Sequence, residues 1–232
     1  IVVICGAASV QGAAFSPYNR IDLSPDPFGD GTTTEWRLQV NRDFHQDMLD
    51  LSAPTDPIRM GLKEAYELPF RLHAGGRVLV VGAGTGNDVQ AALRFGATEV
   101  VSVDIDGEIL RAGTRLHPEN PYGDPRTKKV ENDARAYFEQ NPDERFDVVC
   151  YGLLDSHAMF SAMSSLRLDN YVYTLEGLRS GWEHVKSDGI LAISFSIGNQ
   201  WIQDRLWMLL VEATGHEPIV IRHGMNFGVI FL

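Results

Sequence analysis

From Gly76 to its end the chain alternates short apolar runs with amphipathic stretches. "RVLVVG", "EVVSVDID", "TKKVEN", "RFDVVCYG" and "GILAISFS" read as strands. "GNDVQAALRFG", "GEILRAGTRLH", "DARAYFEQ", "NYVYTLEGLRSGWEHV" and "WIQDRLWMLLVEA" read as helices, with stop signals at Gly96, Pro118 and Gly215. Alternation at this spacing predicts crossover units on a parallel sheet with helices on both faces. The closing runs "PIVIRH" and "GVIFL" lie too close together for a crossover helix, so that pair is expected to be antiparallel. The expected class is therefore α/β: a doubly wound, mostly parallel, seven-stranded Rossmann-like sheet with an antiparallel last strand.

Before Gly76 the pattern changes. "SPYNRIDL" and "EWRLQV" read as two strands separated by the turn-rich "SPDPFGDGTT". "DFHQDMLDLS" and "PIRMGLKEAYELPF" read as helices. The expected organisation is a small N-terminal β-rich unit over residues 1–52, a helical bridge over 53–75 and an α/β domain over 76–232.

Composition narrows the function classes. The 232 residues suffice for one sizeable core with a small extra unit. With 44% hydrophobic and 22% charged residues the chain reads as an ordinary globular protein. The formal charge of −11 argues against a nucleic-acid backbone surface and is compatible with a small cationic substrate. The opening "IVVICGAASV" is apolar but reaches only about half the roughly 18 residues of a membrane span. It reads as an initial strand or as the stub of a segment further upstream. Cys5 and Cys150 suggest neither a disulfide framework nor a zinc site, and Cys150, inside "FDVVCYG", reads as a core residue. His73, His117, His184, His216 and His223 are scattered and suggest no metal site.

The chemistry concentrates at "VGAGTGNDV". Gly82, Gly84 and Gly86 follow a strand and open a helix. Such a turn lets backbone approach a ligand closely, and the helix offers free N–H groups. Asp104, at the end of the next strand, has the spacing of an acid that accepts ribose hydroxyls. Dinucleotide binding wants G-x-G-x-x-G, but here the third glycine comes one residue early and Asn87 holds the later position. The G-x-G-x-G form suits a nucleoside without a pyrophosphate, such as S-adenosylmethionine. Asp133, after the third strand, is placed to accept an adenine amino group, and its plainer role is the N-cap of "ARAYFEQ". Asp169 reads as the N-cap of the helix that follows it, and Tyr171 and Tyr173 would face different ways on that helix.

"VLVVGAGTGNDV", "VSVDID", "NDARAYF", "FDVVCYG" and "YVYTLEGLRSGWEHVKSDGILAIS" resemble, in order and spacing, the polyamine aminopropyltransferases, the spermidine synthase family. "SPYNRIDL" and "RDFHQDML" extend the resemblance to that family's N-terminal part, so that it spans roughly residues 16–198. It is closest to a branch often fused to membrane-spanning segments, in which "GLLDSH" and "RLDNYVYT" recur. The resemblance implies a transferase that moves an aminopropyl-type group from decarboxylated S-adenosylmethionine to an amine, with no metal. It also implies a homodimer and a cytoplasmic protein, or a cytoplasmic-side domain of a longer membrane protein.

Residue by residue, the resemblance implies that Gln46, Asp104 and Asp133 hold the nucleoside. Gly82, Gly84, Thr85 and Gly86 would line the methionine-derived part, and His45 and Tyr171 the acceptor side. Two positions depart from the family. Its loop reads GGGDGG, with an Asp that pairs with the donor's ammonium and repels the carboxylate of intact S-adenosylmethionine; this chain has Thr85 there, a neutral hydroxyl that removes the repulsion, so intact S-adenosylmethionine is expected over its decarboxylated form. The family's proton-accepting Asp at the end of the fourth strand is here Gly152, leaving Asp155 and His157 in the following loop as candidate catalytic groups. Two other readings remain open: a methyltransferase on the same fold, and a nucleoside-binding module without catalysis.

Overall fold

The computed structural model describes residues 13–25, 35–152, 172–196, 200–222 and 228–232. The N-terminal region forms an antiparallel four-stranded sheet in the order β1 (Ala13–Phe15), β2 (Arg20–Pro25), β3 (Trp36–Val40), β4 (Asp43–Met48). β4 corrects the sequence reading, which made "DFHQDMLDLS" a helix. Asn41 and Arg42 both have positive φ, 53° and 74°. Two consecutive left-handed residues make the tight turn whose twist suits a hairpin. The chain therefore folds back onto β3, with Val40 opposite Asp43 and Leu38 opposite Gln46. "SPYNRIDL" is likewise not one strand. The Ser16 hydroxyl accepts from the backbone N–H groups of Tyr18 (3.1 Å) and Asn19 (2.9 Å), making a side-chain-stabilised turn between β1 and β2.

Helix α1 (Pro57–Leu72) follows, capped by Asp56, which accepts from Arg59 N, with Pro57 in the first turn. Its buried Glu67 receives Arg94 at 2.8 Å. Its Arg59 pairs with buried Glu35, whose Oε1 also accepts from Asp50 N at 2.9 Å. The segment linking the two sheets is thus tied on both sides by charge-assisted bonds.

The larger sheet contains β5 (Arg77–Val81), β6 (Glu99–Asp104), β7 (Thr127–Glu131), β8 (Phe146–Tyr151), β9 (Val185–Ser196), β10 (Val220–Arg222) and β11 (Gly228–Phe231). Its order is β10-β11-β9-β8-β5-β6-β7. The five strands from β9 to β7 are parallel, and β11 runs antiparallel to both β9 and β10. This is the expected doubly wound, mostly parallel class. The helices are α2 (Asn87–Arg94), α3 (Gly107–Leu116), α4 (Ala134–Gln140), α5 (Leu175–Glu183) and α6 (Gln200–Thr214).

Alternate residues of each strand enter opposite cores. Leu79, Val81, Val149, Tyr151 and Ile193 pack with residues of α4, α5 and α6. Val78, Val80, Val148, Cys150 and Ala192 pack with residues of α1 and α2. Burial on both faces explains why these strands read as unbroken apolar runs. α5 is shorter than expected: it starts at Leu175, and Val185 already belongs to β9. Its cap is Thr174, which accepts from Gly177 N at 3.1 Å, instead of the expected Asp169. Asp169 itself lies outside the described residues, as do Cys5 and "IVVICGAASV".

The chain leaves β5 toward β6 and β7 on one side, and continues from β8 to β9 on the other. The direction of winding therefore reverses between β5 and β8. Ligands of open α/β sheets bind at such a switch point, at the carboxyl ends of the strands.

Candidate nucleoside site

The glycine loop leaves β5 at this switch point. Gly82, Gly84 and Gly86 have φ of 67°, 56° and 112°, a region that L side chains rarely enter. Gly86 occupies the N-cap of α2 without any side-chain cap, so the first turn keeps N–H groups for a ligand. The loop is held from three directions. From below, the buried Tyr122 hydroxyl donates to Gly84 O at 2.8 Å. From the side, Gly113 of α3 lies against the Thr85 backbone so closely that a Cβ there would clash. From above comes Gln46.

Gln46 reaches the loop because of an irregularity in β4. Leu38 pairs with Gln46 and Gln39 with Phe44, so His45 is the extra residue of a β-bulge. A bulge bends its strand and re-aims the side chains beside it. Gln46 Oε1 accepts from Thr85 N at 2.9 Å and from the Thr85 hydroxyl at 2.7 Å. It also hangs over Gly84, where a Cβ would come within 2.6 Å of it.

Asp104 closes the other side. Its Oδ2 accepts from Gly84 N at 2.8 Å and its Oδ1 from Asp106 N at 2.9 Å. Burial pushes its pKa up to about 6, and the two backbone N–H bonds act against that rise. Each carboxylate oxygen keeps a lone pair, so hydroxyl donors can still be accepted.

The N-terminal sheet that carries Gln46 is pinned to this corner by polar bonds. Ser16 Oγ and Asn19 Nδ2 donate to Asp106 Oδ2 at 2.7 and 3.2 Å. Asn87, at the start of α2, donates to Asp47 O at 2.8 Å, and its Oδ1 meets His117 Nε2 at 3.0 Å. Burial holds the His117 pKa down to about 3, with the Arg94 charge adding to the effect, so this imidazole is neutral. A neutral ring donates from Nε2 to Asn87 while its Nδ1 accepts from Glu119 N at 3.2 Å.

Of the residues singled out from sequence, Gln46, Gly82, Gly84, Thr85, Gly86 and Asp104 thus meet at one corner. Asp133 stands at the end of β7 and caps α4: its Oδ1 accepts from Arg135 N and Ala136 N at 2.9 and 3.1 Å. Gly152 directly follows β8, with its N–H on Val81 O at 3.1 Å. His45 is half-buried beside Gln46. Tyr173 packs its ring edge-on against Phe195, with centroids 5.1 Å apart. Asp155, His157 and Tyr171 lie outside the described residues. Among the described residues no group of three or more His, Cys, Asp or Glu could hold a metal ion. Among them, too, no helix is long and apolar enough to cross a membrane.

Sequence reasoning missed several residues that shape the corner, namely Tyr122, Asp106 and the Asn87–His117 pair, and it missed the buried Asp88 beside it. Asp88, in the first turn of α2, is 4% exposed, and burial pushes its pKa up to about 7. Its sequence signal was its place on the stripe shared with Ala91 and Ala92, at helical spacing i+3 and i+4.

No family model matches the chain. It is 33% identical over 121 residues to polyamine aminopropyltransferase 1 of Hyperthermus butylicus, which covers 50% of this chain and 39% of that protein. It is 32% identical over 84 residues to the polyamine aminopropyltransferase of Korarchaeum cryptofilum, covering 35% of this chain and 26% of that one. The chain therefore matches well under two thirds of the length of these curated relatives. Among solved structures, spermidine synthase from Thermotoga maritima superposes with a TM-score of 0.67 at 15% identity, over 95% of this chain and 71% of that one. A spermidine synthase in complex with the transition-state analogue AdoDATO superposes with a TM-score of 0.67 at 15% identity, over 95% of this chain and 72% of that one. A probable spermidine synthase from Corynebacterium glutamicum gives 0.66 at 16% identity, over 95% of this chain and 78% of that one. At these identities the superpositions speak for the fold.

Proposed function

We propose, from the premise that this chain is a spermidine synthase-like protein with a methyltransferase-like fold, that it binds an S-adenosylmethionine-type sulfonium and transfers an aminopropyl-type group from it to a small amine. The observation that carries this reading is the convergence of Gln46, Gly84 and Asp104 around one loop at the switch point. Asp104 accepts the ribose hydroxyls, and the uncapped start of α2 and the glycine backbone face the sulfonium side. Asp133 keeps Oδ2 for the adenine amino group while Oδ1 caps α4.

Transfer is an in-line displacement at a carbon of the sulfonium. The amine lone pair forms the new N–C bond while the C–S bond breaks, and its electrons neutralise the sulfur. The protein aligns donor and acceptor and excludes water, a proximity effect worth about 7–11 kcal/mol when alignment is good. The net charge of −11 favours the approach of a cationic amine. His45 and Tyr171 are proposed to serve the acceptor side, and Asp155 and His157 remain candidate catalytic groups.

Thr85 bears on donor choice. Its hydroxyl is turned to Gln46 and it adds no charge to the loop. Thr85 itself does not repel a donor carboxylate, which favours intact S-adenosylmethionine over the decarboxylated form. The test is incubation of the chain with each donor and a panel of small amines, followed by mass spectrometry. The reading expects methylthioadenosine and an alkylated amine. S-adenosylhomocysteine as the product would make the chain a methyltransferase, and calorimetric donor binding without any product would make it a non-catalytic module.

A further inference from the structure

One buried carboxyl group has no part in the donor corner. Asp88 points from α2 toward the end of β8, where its Oδ2 stands 3.0 Å from the place a Cβ on Gly152 would take. The Gly82 carbonyl oxygen is also 3.0 Å from that place. The three groups therefore meet where β5 and β8 part, at the reversal of winding. A side chain at position 152 would press on the Asp88 carboxylate, so Gly152 is what leaves the space for it.

Among the described residues, the one side-chain donor near this carboxylate is the Cys150 thiol, 4.0 Å from Oδ1. The other titratable groups that feel its charge are Tyr66 of α1 and Tyr122 beneath the loop. Burial, with the Asp88 charge adding, raises the Tyr66 phenol to about 12 and lifts the Cys150 thiol well up. Burial raises the Tyr122 phenol too, with Asp104 and then Asp88 adding. All three stay protonated at neutral pH, and among these groups only Asp88 titrates near 7. A buried carboxylate without strong donors costs stability, which sites retain where a proton is to be exchanged.

We infer that Asp88 is the proton acceptor for the attacking amine, delivered from the first turn of α2 across the bare backbone of Gly152. This rests on the alkyl-transfer reading. The acceptor arrives as an ammonium, R–NH3+. It gives one proton to the Asp88 carboxylate, leaving a neutral amine and a carboxylic acid. The amine lone pair then forms the N–C bond as the C–S bond breaks, and the products are a secondary ammonium and a neutral thioether. The proton on Asp88 returns to solvent after product leaves.

The experiment compares wild type with Asp88→Asn, which keeps the shape, and with Gly152→Ala, which crowds the carboxylate. Donor binding by calorimetry and kcat between about pH 5.5 and 9 are measured on each. The inference expects Asp88→Asn to bind the donor within about threefold of wild type and to lose about 10²- to 10⁴-fold in kcat. It expects the wild-type rate to rise through an ionisation near 7 that Asp88→Asn lacks. Gly152→Ala should lower kcat and displace that ionisation. Wild-type turnover with an unchanged rate and pH profile in Asp88→Asn overturns the role of Asp88 alone. Wild type that forms no product from any amine overturns the transfer reading, and the role with it. Should Asp88→Asn not fold, Gly152→Ala decides: an unchanged kcat and profile there overturns the inference.

Discussion

Asp104 and Asp88 are both buried acids at the carboxyl ends of the same sheet, yet they live differently. Asp104 accepts two backbone N–H groups from outside itself, those of Gly84 and Asp106. Asp88 has only its own backbone N–H and a distant thiol. Burial raises both, to about 6 for Asp104 and about 7 for Asp88. Fixed backbone donors, not depth, separate a carboxylate suited to stay charged from one suited to take up a proton.

The comparison can be broken most forcefully at Asp104. Asp104→Ala orphans the Gly84 and Asp106 N–H groups, each costing about 1–3 kcal/mol, and removes the proposed ribose acceptor. Calorimetry should find donor affinity reduced by about 10²-fold or more, and unfolding should find the chain less stable. Gly84→Ala comes next. With φ at 56° and Gln46 Oε1 2.6 Å from the new methyl, the loop must shift. The left-handed conformation alone costs about 1–2 kcal/mol, read as a lower unfolding midpoint, and donor affinity should fall about tenfold.

A smaller effect sharpens the contrast through pH. Both acids have folded pKa values above their ordinary 3.8, so the folded state binds their protons more tightly than the unfolded state does. The stability this contributes is complete below about pH 4 and is lost as pH rises through about 6 for Asp104 and about 7 for Asp88. Unfolding by urea across this range should show that decline. Asp88→Asn should flatten its upper part and make the chain more stable than wild type at pH 8. The smallest effect is expected from Asp133→Asn. An amide still caps α4, so stability should change by about 0.5 kcal/mol or less, while donor affinity falls a few-fold.

The large sheet was legible because strands buried on both faces leave continuous apolar runs, and helices between them leave stripes. "DFHQDMLDLS" was misread because Phe44, Met48, Leu49 and Leu51 fit a helical period as well as a strand's. What decided it was pairing with β3 through a turn built of Asn41 and Arg42, with no glycine to announce it. In the site, the glycines and Asp104 were legible because spacing along one chain segment sets their geometry. Gln46 was reached only through the family resemblance, since a bulge in a separate sheet aims it. The Asn87–His117 bond joins residues 30 apart and has no local signal. Asp88 was overlooked because an acid in a helix's first turn reads as a favourable partner of the helix dipole. Only its place among Ala91 and Ala92 marked it as inward.

A sulfonium nucleoside is proposed to lie on the Gly82–Gly86 loop, between Gln46 and Asp104. The decisive experiment is titration of the isotope-labelled wild-type chain with S-adenosylmethionine, and with its decarboxylated form, followed by amide NMR. Binding at this loop should give saturable shifts of the Gly84, Thr85 and Asp106 amides, the groups now bonded to Asp104 and Gln46. Saturating amounts of both donors that leave these three amides unmoved would contradict it.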